Sequence, residues 1–440
     1  MSGGGRKPLY GWLTSEAISL TGTRISMIAL PWLVLTTTGS ATKTGLVALA
    51  EMLPLVLLKV LGGPVIDRLG ARRISISCDV ASLFVVGAIP LLYALDLLPF
   101  SLFLAFVAMA GALRGPGDAA KQALVPALAA QADVPLERAT GLHSTVERTA
   151  GMLGAAFAGG LVAVIGPANA LVVDATSFGL SALVLAWATT AVVAPALETP
   201  PSVEEVAPSN RLETPEVTQG GDHSPYLIQL REGWDYLRSD RVLFGIAVMV
   251  ALTNLLDMAW ASVQVPVWAK DSGGGAGAIG LLFAVFAGAS AIGAMCAATW
   301  AARLPRYRTY LLAFLICGAP RFVVMALGSP LWAVLSVAVA SGFASGFINP
   351  VLGAVIYERI PEHLMGRVTS LTTAMCFALM PFGGLLGGLL IAGFGLSTSL
   401  VVCGAAYFVV TMFPALDPRW RELDGRPGTP TPGRVPEHAA

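Results

Sequence analysis

Twelve runs of mostly apolar residues follow one another along the chain, separated by short polar segments. A helix needs about 20 such residues to cross the hydrocarbon core of a bilayer. The runs cover residues 10–35, 44–66, 74–95, 100–126, 141–165, 168–193, 242–267, 279–302, 310–327, 331–357, 368–394 and 398–413. This pattern predicts an all-α membrane protein with twelve transmembrane helices.

A longer polar stretch divides the runs into two sets of six. Residues 195–225 are rich in proline, glutamate and aspartate and have no apolar periodicity, which predicts a disordered cytoplasmic linker. In residues 226–240, apolar and charged side chains recur at helical spacing, which predicts an amphipathic helix on the inner membrane surface. The other predicted domains are an N-terminal six-helix bundle at 1–194, a C-terminal six-helix bundle at 241–416 and a cytoplasmic tail at 417–440.

Composition supports the membrane assignment and excludes several functions. Apolar residues make up 55% of the chain and charged residues 12%, which is too little polar surface for a soluble protein of 440 residues. The net charge of zero gives no reason to expect a nucleic-acid partner. The five cysteines show no metal-binding spacing, the four histidines do not cluster, and no nucleophile or phosphate-binding loop is present. We therefore expect no metal, no cofactor and no enzymatic activity.

The cations indicate how the helices are oriented. If the helices alternate in direction, nearly all arginines of the loops fall on one side, and only Lys43 and Lys270 lie in the opposite loops. Positive charges accumulate on the cytoplasmic side of membrane proteins. We therefore expect both termini to be cytoplasmic in a multi-pass protein of the cell membrane, and we expect a monomer.

The turn between the second and third helices carries a charged motif of the form G-x-x-x-D-R-x-G-x-R-R. Its residues are Gly63, Asp67, Arg68, Gly70, Arg72 and Arg73. This motif resembles the corresponding loop of major facilitator superfamily transporters. Residues 122–126, 230–237 and 366–371 resemble the drug:proton antiporter branch that includes macrolide-efflux and enterobactin-export proteins. The resemblance implies two bundles that rock about a central cavity, export of amphipathic compounds against proton entry, and a gating role for Asp67.

The chain also departs from that family. The antiporter pattern of the fifth helix appears here at residues 155–160 without its proline, which weakens the inference of antiport. The second-half copy of the charged loop, at residues 302–308, has lost its aspartate.

Ionisable residues inside the apolar runs are costly in hydrocarbon, so each should face a partner or a wet cavity. A cytoplasmic layer of both signs predicts either a structural ion-pair network or a gating network, and it comprises Glu16, Lys59, Asp79, Arg114, Glu147 and Arg148. Glu51, Asp174 and Asp257 are predicted to lie nearer the outer side, with few cations at that depth. Asp257 is the first candidate for proton coupling, followed by Glu51, Glu16 and Glu147. Alternatively, Asp257 forms an ion pair with Arg321.

Polar residues at helical spacing predict the wall of a central cavity on the first, seventh and tenth helices. In the superfamily, the first, fourth, seventh and tenth helices line the cavity. The candidates are Ser19, Thr23, Arg24, Arg114, Asn254, Gln264, Ser341, Ser345 and Asn349. Tight helix packing is an alternative explanation of the serine stripes.

Few charges in a mostly apolar cavity favour loosely specified ligands over sugars. We therefore expect a secondary active exporter of amphipathic or hydrophobic, drug-like molecules, with the small-molecule substrate, protons and the lipid bilayer as its partners. A siderophore exporter and a lysophospholipid flippase of the same fold are the alternatives. A scaffold or sensor that moves nothing is disfavoured by the intact loop motif.

Overall fold

The computed structural model describes residues 6–190, 226–300, 303–361 and 364–424, and these are almost entirely helical. Helices form because a chain that crosses lipid must satisfy its backbone hydrogen bonds within each segment. The predicted linker at 195–225 and the part of the tail beyond residue 424 lie outside the described residues.

The N-terminal half contains six long helices and two short ones. They are α1 (Lys7–Thr38), α2 (Ala41–Leu61), α3 (Gly63–Leu69), α4 (Ala71–Ala94), α5 (Phe100–Ala123), α6 (Val125–Gln131), α7 (Leu136–Ile165) and α8 (Pro167–Ala188). The short helix α3 lies in the charged turn between the second and third spans. The predicted sixth run ended at residue 193, whereas α8 ends at Ala188.

The C-terminal half begins with a short helix that precedes the seventh span. Its helices are α9 (Tyr226–Ser239), α10 (Arg241–Ala259), a π-helix (Trp260–Gln264), α11 (Val265–Asp271), α12 (Gly275–Trp300), α13 (Arg306–Cys317), α14 (Ala319–Ala326), α15 (Leu331–Arg359), α16 (Met365–Ala378) and α17 (Gly383–Met412). Within the described residues, eleven helical stretches are long and apolar enough to cross a membrane.

The last of these stretches, Met365–Leu416, is 52 residues long and contains two spans. Gly395 interrupts it with a φ of 79° and a ψ of 169°. This left-handed backbone conformation is open to glycine but strained for residues with a side chain. The chain reverses direction there, so the eleven stretches of the described chain correspond to twelve spans. The twelve-helix prediction is confirmed.

Each half forms one bundle of six spans. In the first bundle α1 packs against α7 and α8, α2 against α5, and α4 against α5 and α8. In the second bundle α12 packs against α15, α10 against α16 and α17, and α13 and α14 against α15 and α17. The two bundles meet mainly where α7 contacts α12 and where α2 contacts α17. The prediction of two six-helix bundles is confirmed.

Glycines close the contact between the bundles on one side of the molecule. We call this side, at which α1 ends, the far face, and the side at which α1 begins the near face. A methyl group added at Gly159 would lie 2.4 Å from the Cα atom of Gly280, and one added at Gly45 would lie 2.4 Å from the carbonyl oxygen of Gly384. The ammonium of Lys270 also donates to the carbonyl of Leu35 across the bundles at 3.1 Å. Such close backbone contact keeps the far face shut.

Toward the near face, the ends of these helices are less covered. Residues 57–61 at the near end of α2, a full helical turn, are all exposed, and so are residues 298–300 at the near end of α12. Because the close contacts between the bundles named above lie at the far face, we infer that the cleft opens at the near face.

Helix α9 packs along the near end of the C-terminal bundle. The position of a Cβ atom on Gly233 is 3.1 Å from the Cβ atom of Arg367, and the phenol of Tyr236 donates to the carbonyl of Arg359 at 2.6 Å. Burial raises the pKa of Tyr236 above its usual value, so this phenol stays protonated and remains a donor. Trp420 and Leu423 are buried in the same region, so residues 418–424, which the sequence assigned to the cytoplasmic tail, are folded against the bundle.

Candidate transport site

A cavity of about 240 Å³ lies between the two bundles, directly below the contact that closes the far face. Most of its wall is apolar, with flexible methionines and two aromatic rings. The lining residues are Arg24, Met27, Ile28, Pro31, Ala48, Glu51, Met52, Gly151, Ala155, Met258, Ala261, Ser262, Phe283, Phe286 and Ala287. Small-molecule sites have this character: mainly apolar walls with a few placed polar groups.

Two of the polar groups in the wall come from the middle of the N-terminal bundle. Arg24 projects from α1, and Glu51 projects from α2, where its Oε1 accepts a hydrogen bond of 2.6 Å from the guanidinium of Arg114 on α5. The sequence placed Arg114 in the cytoplasmic layer and left Glu51 without nearby cations. The structure corrects both expectations, because sequence position along separate helices does not fix the relative depth of two side chains.

A second charged group lies inside the N-terminal bundle, away from the cavity. Lys121 on α5 is 1% exposed, and its Nζ atom is 3.0 Å from Asp79 on α4 and 3.9 Å from Glu16 on α1. Ser181 of α8 donates a hydrogen bond of 2.7 Å to Asp79, and its hydroxyl lies 2.8 Å from that of Ser15. These contacts join four helices through one buried lysine. Lys121 was not among the residues predicted from the sequence, although a lysine inside an apolar run was the signal that could have found it.

Asp257, the first candidate for proton coupling, is paired. It lies in the last turns of α10 and accepts a hydrogen bond from the guanidinium of Arg321 on α14. Arg321 is almost entirely buried and lies over the rings of Trp260, Phe322 and Tyr407 at 4.8 to 5.0 Å from each ring centroid. The expectation that few cations lie near Asp257 was wrong, and the alternative of pairing with Arg321 is confirmed. The Asp257 side chain is still 40% exposed, so its pair with Arg321 is not sealed inside the bundle.

Asp174 on α8 is 0% exposed and accepts a hydrogen bond from Ser26 of α1. It also lies 3.5 Å from the hydroxyl of Ser177 one turn away. It serves the packing of α1 against α8. Glu147 and Arg148, by contrast, are exposed near the start of α7, and Lys59 is exposed at the end of α2.

The charged turn has separate roles for its residues. Gly70 adopts a φ of 87° between α3 and α4, a conformation that favours glycine. Arg72 donates to the hydroxyl of Thr189 at 2.8 Å and to the carbonyl of Ala186 at 3.0 Å. It therefore holds the carboxyl end of α8, where a cation is favourable. Asp67 is exposed on α3, as are Arg68 and Arg73 beside it, while Gly63 begins α3 with open space beside its Cα.

The remaining cavity candidates do not lie in the wall of this cavity. Gln264 is 0% exposed and donates to Ser399 at 2.8 Å, and Ser341 is 0% exposed and donates to the carbonyl of Ile316. Ser345 bonds Ser290 between α15 and α12. Ser341 and Ser345 therefore bind neighbouring helices, as the alternative of tight helix packing predicts.

Four further candidates also lie outside the wall residues. Asn254 donates to the carbonyl of Cys376 at 2.9 Å, which ties α10 to α16. Ser19 is buried, Thr23 is half-buried and Asn349 is exposed. The methionines and phenylalanines of the wall were not predicted from the sequence, because apolar residues that face a cavity resemble those that face lipid.

Comparison with known proteins places this architecture in a family. A sequence model of the Major Facilitator Superfamily matches residues 13–273 and 247–435, which together span nearly the whole chain. The chain belongs to the Major Facilitator Superfamily.

Within this superfamily, the chain is 28% identical over 430 residues to the "Multidrug efflux pump Tap" of Mycobacterium tuberculosis (strain ATCC 25618 / H37Rv), with 97% of each chain covered. It is 28% identical over 155 residues to the "Staphyloferrin A transporter" of Staphylococcus aureus, which covers 35% of this chain and 38% of that protein. The relatives named here are transporters.

Solved structures support the same fold for this Major Facilitator Superfamily member. The nucleoside transporter NupG matches with a TM-score of 0.68 at 12% identity, covering 93% of this chain and 98% of that one. A bacterial homologue of the iron transporter ferroportin matches with a TM-score of 0.66 at 15% identity, covering 94% and 98%. Identities this low bear on the fold alone.

Proposed function

We propose that this chain is an exporter of amphipathic or hydrophobic, drug-like small molecules that works by alternating access. The observation that carries the proposal is the cavity between the bundles, which is closed by glycine contacts at the far face and open toward the near face. Its methionines and phenylalanines can adapt to ligands of different shape. The full-length similarity to a protein named as a multidrug efflux pump supports the same function.

The orientation, oligomeric state, location and partners of the transporter are part of the same proposal. The near face, which carries the arginines of the charged turn, is cytoplasmic, and the protein acts as a monomer in the cell membrane. Its partners are the exported molecule, protons and lipid, with no enzymatic activity and no nucleic acid. In this orientation the structure corresponds to the state open to the cytoplasm, ready to load a molecule for export.

A cavity-filling substitution tests export. Ala287 on α12 lines the cavity, whereas Leu281 on the same helix is exposed at its outer surface. We expect Ala287→Phe to lower efflux of a fluorescent amphipathic dye at least fivefold, because the added ring occupies the binding volume. Leu281→Phe should leave efflux within twofold of the parent. Equal efflux by both variants would show that the cavity is not the transport route.

We further propose that protons drive export and that Asp257 is the coupling carboxylate. On this proposal, water in the open cleft reaches the Asp257 side chain, which is 40% exposed. A proton that binds the carboxylate then breaks its hydrogen bond to Arg321. Protonation removes the charge that Arg321 holds and frees α10 relative to α14. A group that pairs in one state and protonates in another can link proton entry to movement of the helices.

Asp257→Asn tests the coupling because it keeps the shape of the side chain and replaces the carboxylate by a neutral amide. In proteoliposomes with an imposed pH gradient, we expect this variant to lose uphill dye transport at least tenfold and to retain downhill exchange. Glu51→Gln, which changes the reserve candidate, is the matched comparison. Uphill transport by Asp257→Asn at the parent rate would assign Asp257 to structure alone.

A siderophore exporter is the second candidate, favoured by the partial similarity to a protein named as a staphyloferrin A transporter. The test is the iron-chelating activity secreted into the medium by cells that make the parent or Ala287→Phe. Secretion that requires an open cavity, without any dye efflux, would favour this candidate. The flippase alternative remains a prediction from the sequence.

A further inference from the structure

Arg24 is a cation in the wall of the cavity. Its guanidinium donates to the thioether of Met27 at 3.5 Å, and its Nε atom is buried without a hydrogen-bond partner. Among the described residues, no carboxylate lies within ion-pair distance of Arg24. A thioether is a weak acceptor and cannot balance a full positive charge.

The other charges near the cavity are already matched. Glu51 is held by Arg114 at 2.6 Å, so this pair contributes no net charge to the wall. Asp174 is 0% exposed and is turned toward Ser26 and Ser177, away from the cavity lining. Glu147 is exposed one turn before Gly151 on α7, and its charge acts on Arg24 at longer range, without an ion pair among the described residues. Among the described residues, Arg24 therefore is the one charged group of this mainly apolar wall that forms no direct ion pair.

Two glycines of α7 make room for this side chain. A Cβ atom on Gly154 would lie 3.1 Å from the Cγ atom of Arg24, and one on Gly151 would lie 3.6 Å from its NH2 nitrogen. The arginine stem lies along α7 at these two positions, one turn apart. Its planar group is thereby held at the cavity, beside Met27, in the same wall that contains the rings of α12.

We propose that the exported molecules are amphipathic acids, with an anionic oxygen group bound by Arg24 and an apolar body against Met258, Phe283 and Phe286. This inference rests on the proposed function and narrows its substrate class. A guanidinium offers parallel N–H donors that match a carboxylate in a bidentate geometry. An anion from the ligand supplies the partner that the protein itself does not provide, and an unpaired cation in an apolar wall disfavours cationic ligands.

Matched probes test the charge preference. Pyrenebutyrate, pyrenebutyramide and pyrenebutyl-trimethylammonium share one apolar body and differ in charge. Binding to purified protein in micelles is followed by energy transfer from tryptophan to pyrene, since Trp260 lies 5.8 Å from the ring of Phe283 in the cavity wall. Ala287→Phe provides the background from probe dissolved in the micelle.

We expect the parent to bind pyrenebutyrate at least tenfold more tightly than the amide, and the ammonium probe most weakly. Arg24→Gln should lower affinity for the acid at least tenfold and leave that for the amide within twofold. Glu147→Gln should keep the preference for the acid. An equal loss of affinity for the acid in Glu147→Gln would show that Arg24 interacts with Glu147 rather than with the ligand. A preference for the ammonium probe in the parent would overturn the proposal.

A second pair of variants keeps Arg24 in place and guards against misfolding of Arg24→Gln. Gly151→Asp puts a carboxylate beside the guanidinium and should remove the preference for the acid, whereas Gly151→Asn should retain more of it. A tenfold preference that persists in both Arg24→Gln and Gly151→Asp would overturn the inference.

Transport of the same probes separates this inference from the proposed function. Acid binding that depends on Arg24, without transport of any probe, would contradict export and leave the anion site standing. Transport of the amide and the ammonium probe that is indifferent to Arg24 would leave export standing and overturn the substrate class.

Discussion

Replacing Lys121 by methionine removes the only cation from a buried group that contains two carboxylates. Lys121 is 1% exposed, and its Nζ atom is 3.0 Å from Asp79 and 3.9 Å from Glu16. Methionine has nearly the same length and shape, so the packing of α5 changes little. What the variant loses is the one positive charge that faces the two acids.

The size of the effect follows from these distances and from burial. Two unit charges about 3 Å apart attract by roughly 5 kcal/mol at an effective dielectric constant of about 20. Desolvation of the lysine offsets much of this attraction in the intact protein. Removing one partner leaves the others buried without compensation, which typically costs about 3–5 kcal/mol. We expect a lower free energy of unfolding by that amount for Lys121→Met.

The assay uses the protein's own cysteines. Cys317 and Cys403 are buried, so a thiol-reactive dye reports unfolding of the purified protein as temperature rises. Lys121→Met should melt several degrees below the parent. Lys59→Met, which changes an exposed lysine, should melt within about one degree of it, because exposed charges contribute little.

A rescue variant separates charge from packing. Lys121→Met combined with Asp79→Asn and Glu16→Gln removes all three charges and should recover most of the lost stability. If Lys121→Met melts at the same temperature as Lys59→Met, or if the triple variant is no more stable than Lys121→Met, uncompensated buried charge is refuted as the cause.

Three further predictions concern movement and topology. Gly280→Val places a side chain 2.5 Å from the Cα atom of Gly159 and should lower dye transport at least tenfold by preventing closure of the far face, whereas Gly160→Ala, with open space beside it, should not; equal rates would remove the glycine contact from the mechanism. Asp67→Asn should slow transport severalfold without lowering expression, because we expect Asp67 to hold neighbouring arginines when the near face closes; an unchanged rate would reduce the motif to a topology signal. Gly274→Cys should react with an impermeant thiol reagent from outside the cell, and a cysteine placed at Thr218 or after Asp417 only from inside; reaction of Gly274→Cys solely from inside would reverse the proposed orientation.

The sequence by itself determined the number of spans and the division into two bundles. Each span must satisfy its own backbone hydrogen bonds in lipid, so the information lies within about 20 consecutive residues. It also located the charged turn, since glycines and cations crowd where two helix ends meet.

Only the tertiary structure decided which charges meet. Glu51 and Arg114 are 63 residues apart and Asp257 and Arg321 are 64 apart, and their contact depends on the rotation and depth of separate helices. The role of Lys121 and the glycine contact between Gly159 and Gly280 have the same origin. Hydropathy reports how apolar a segment is, and it contains no information about which face of one helix meets which face of another. The pairing of helices, and with it the unpaired position of Arg24 in the cavity, exists only once the bundles are packed.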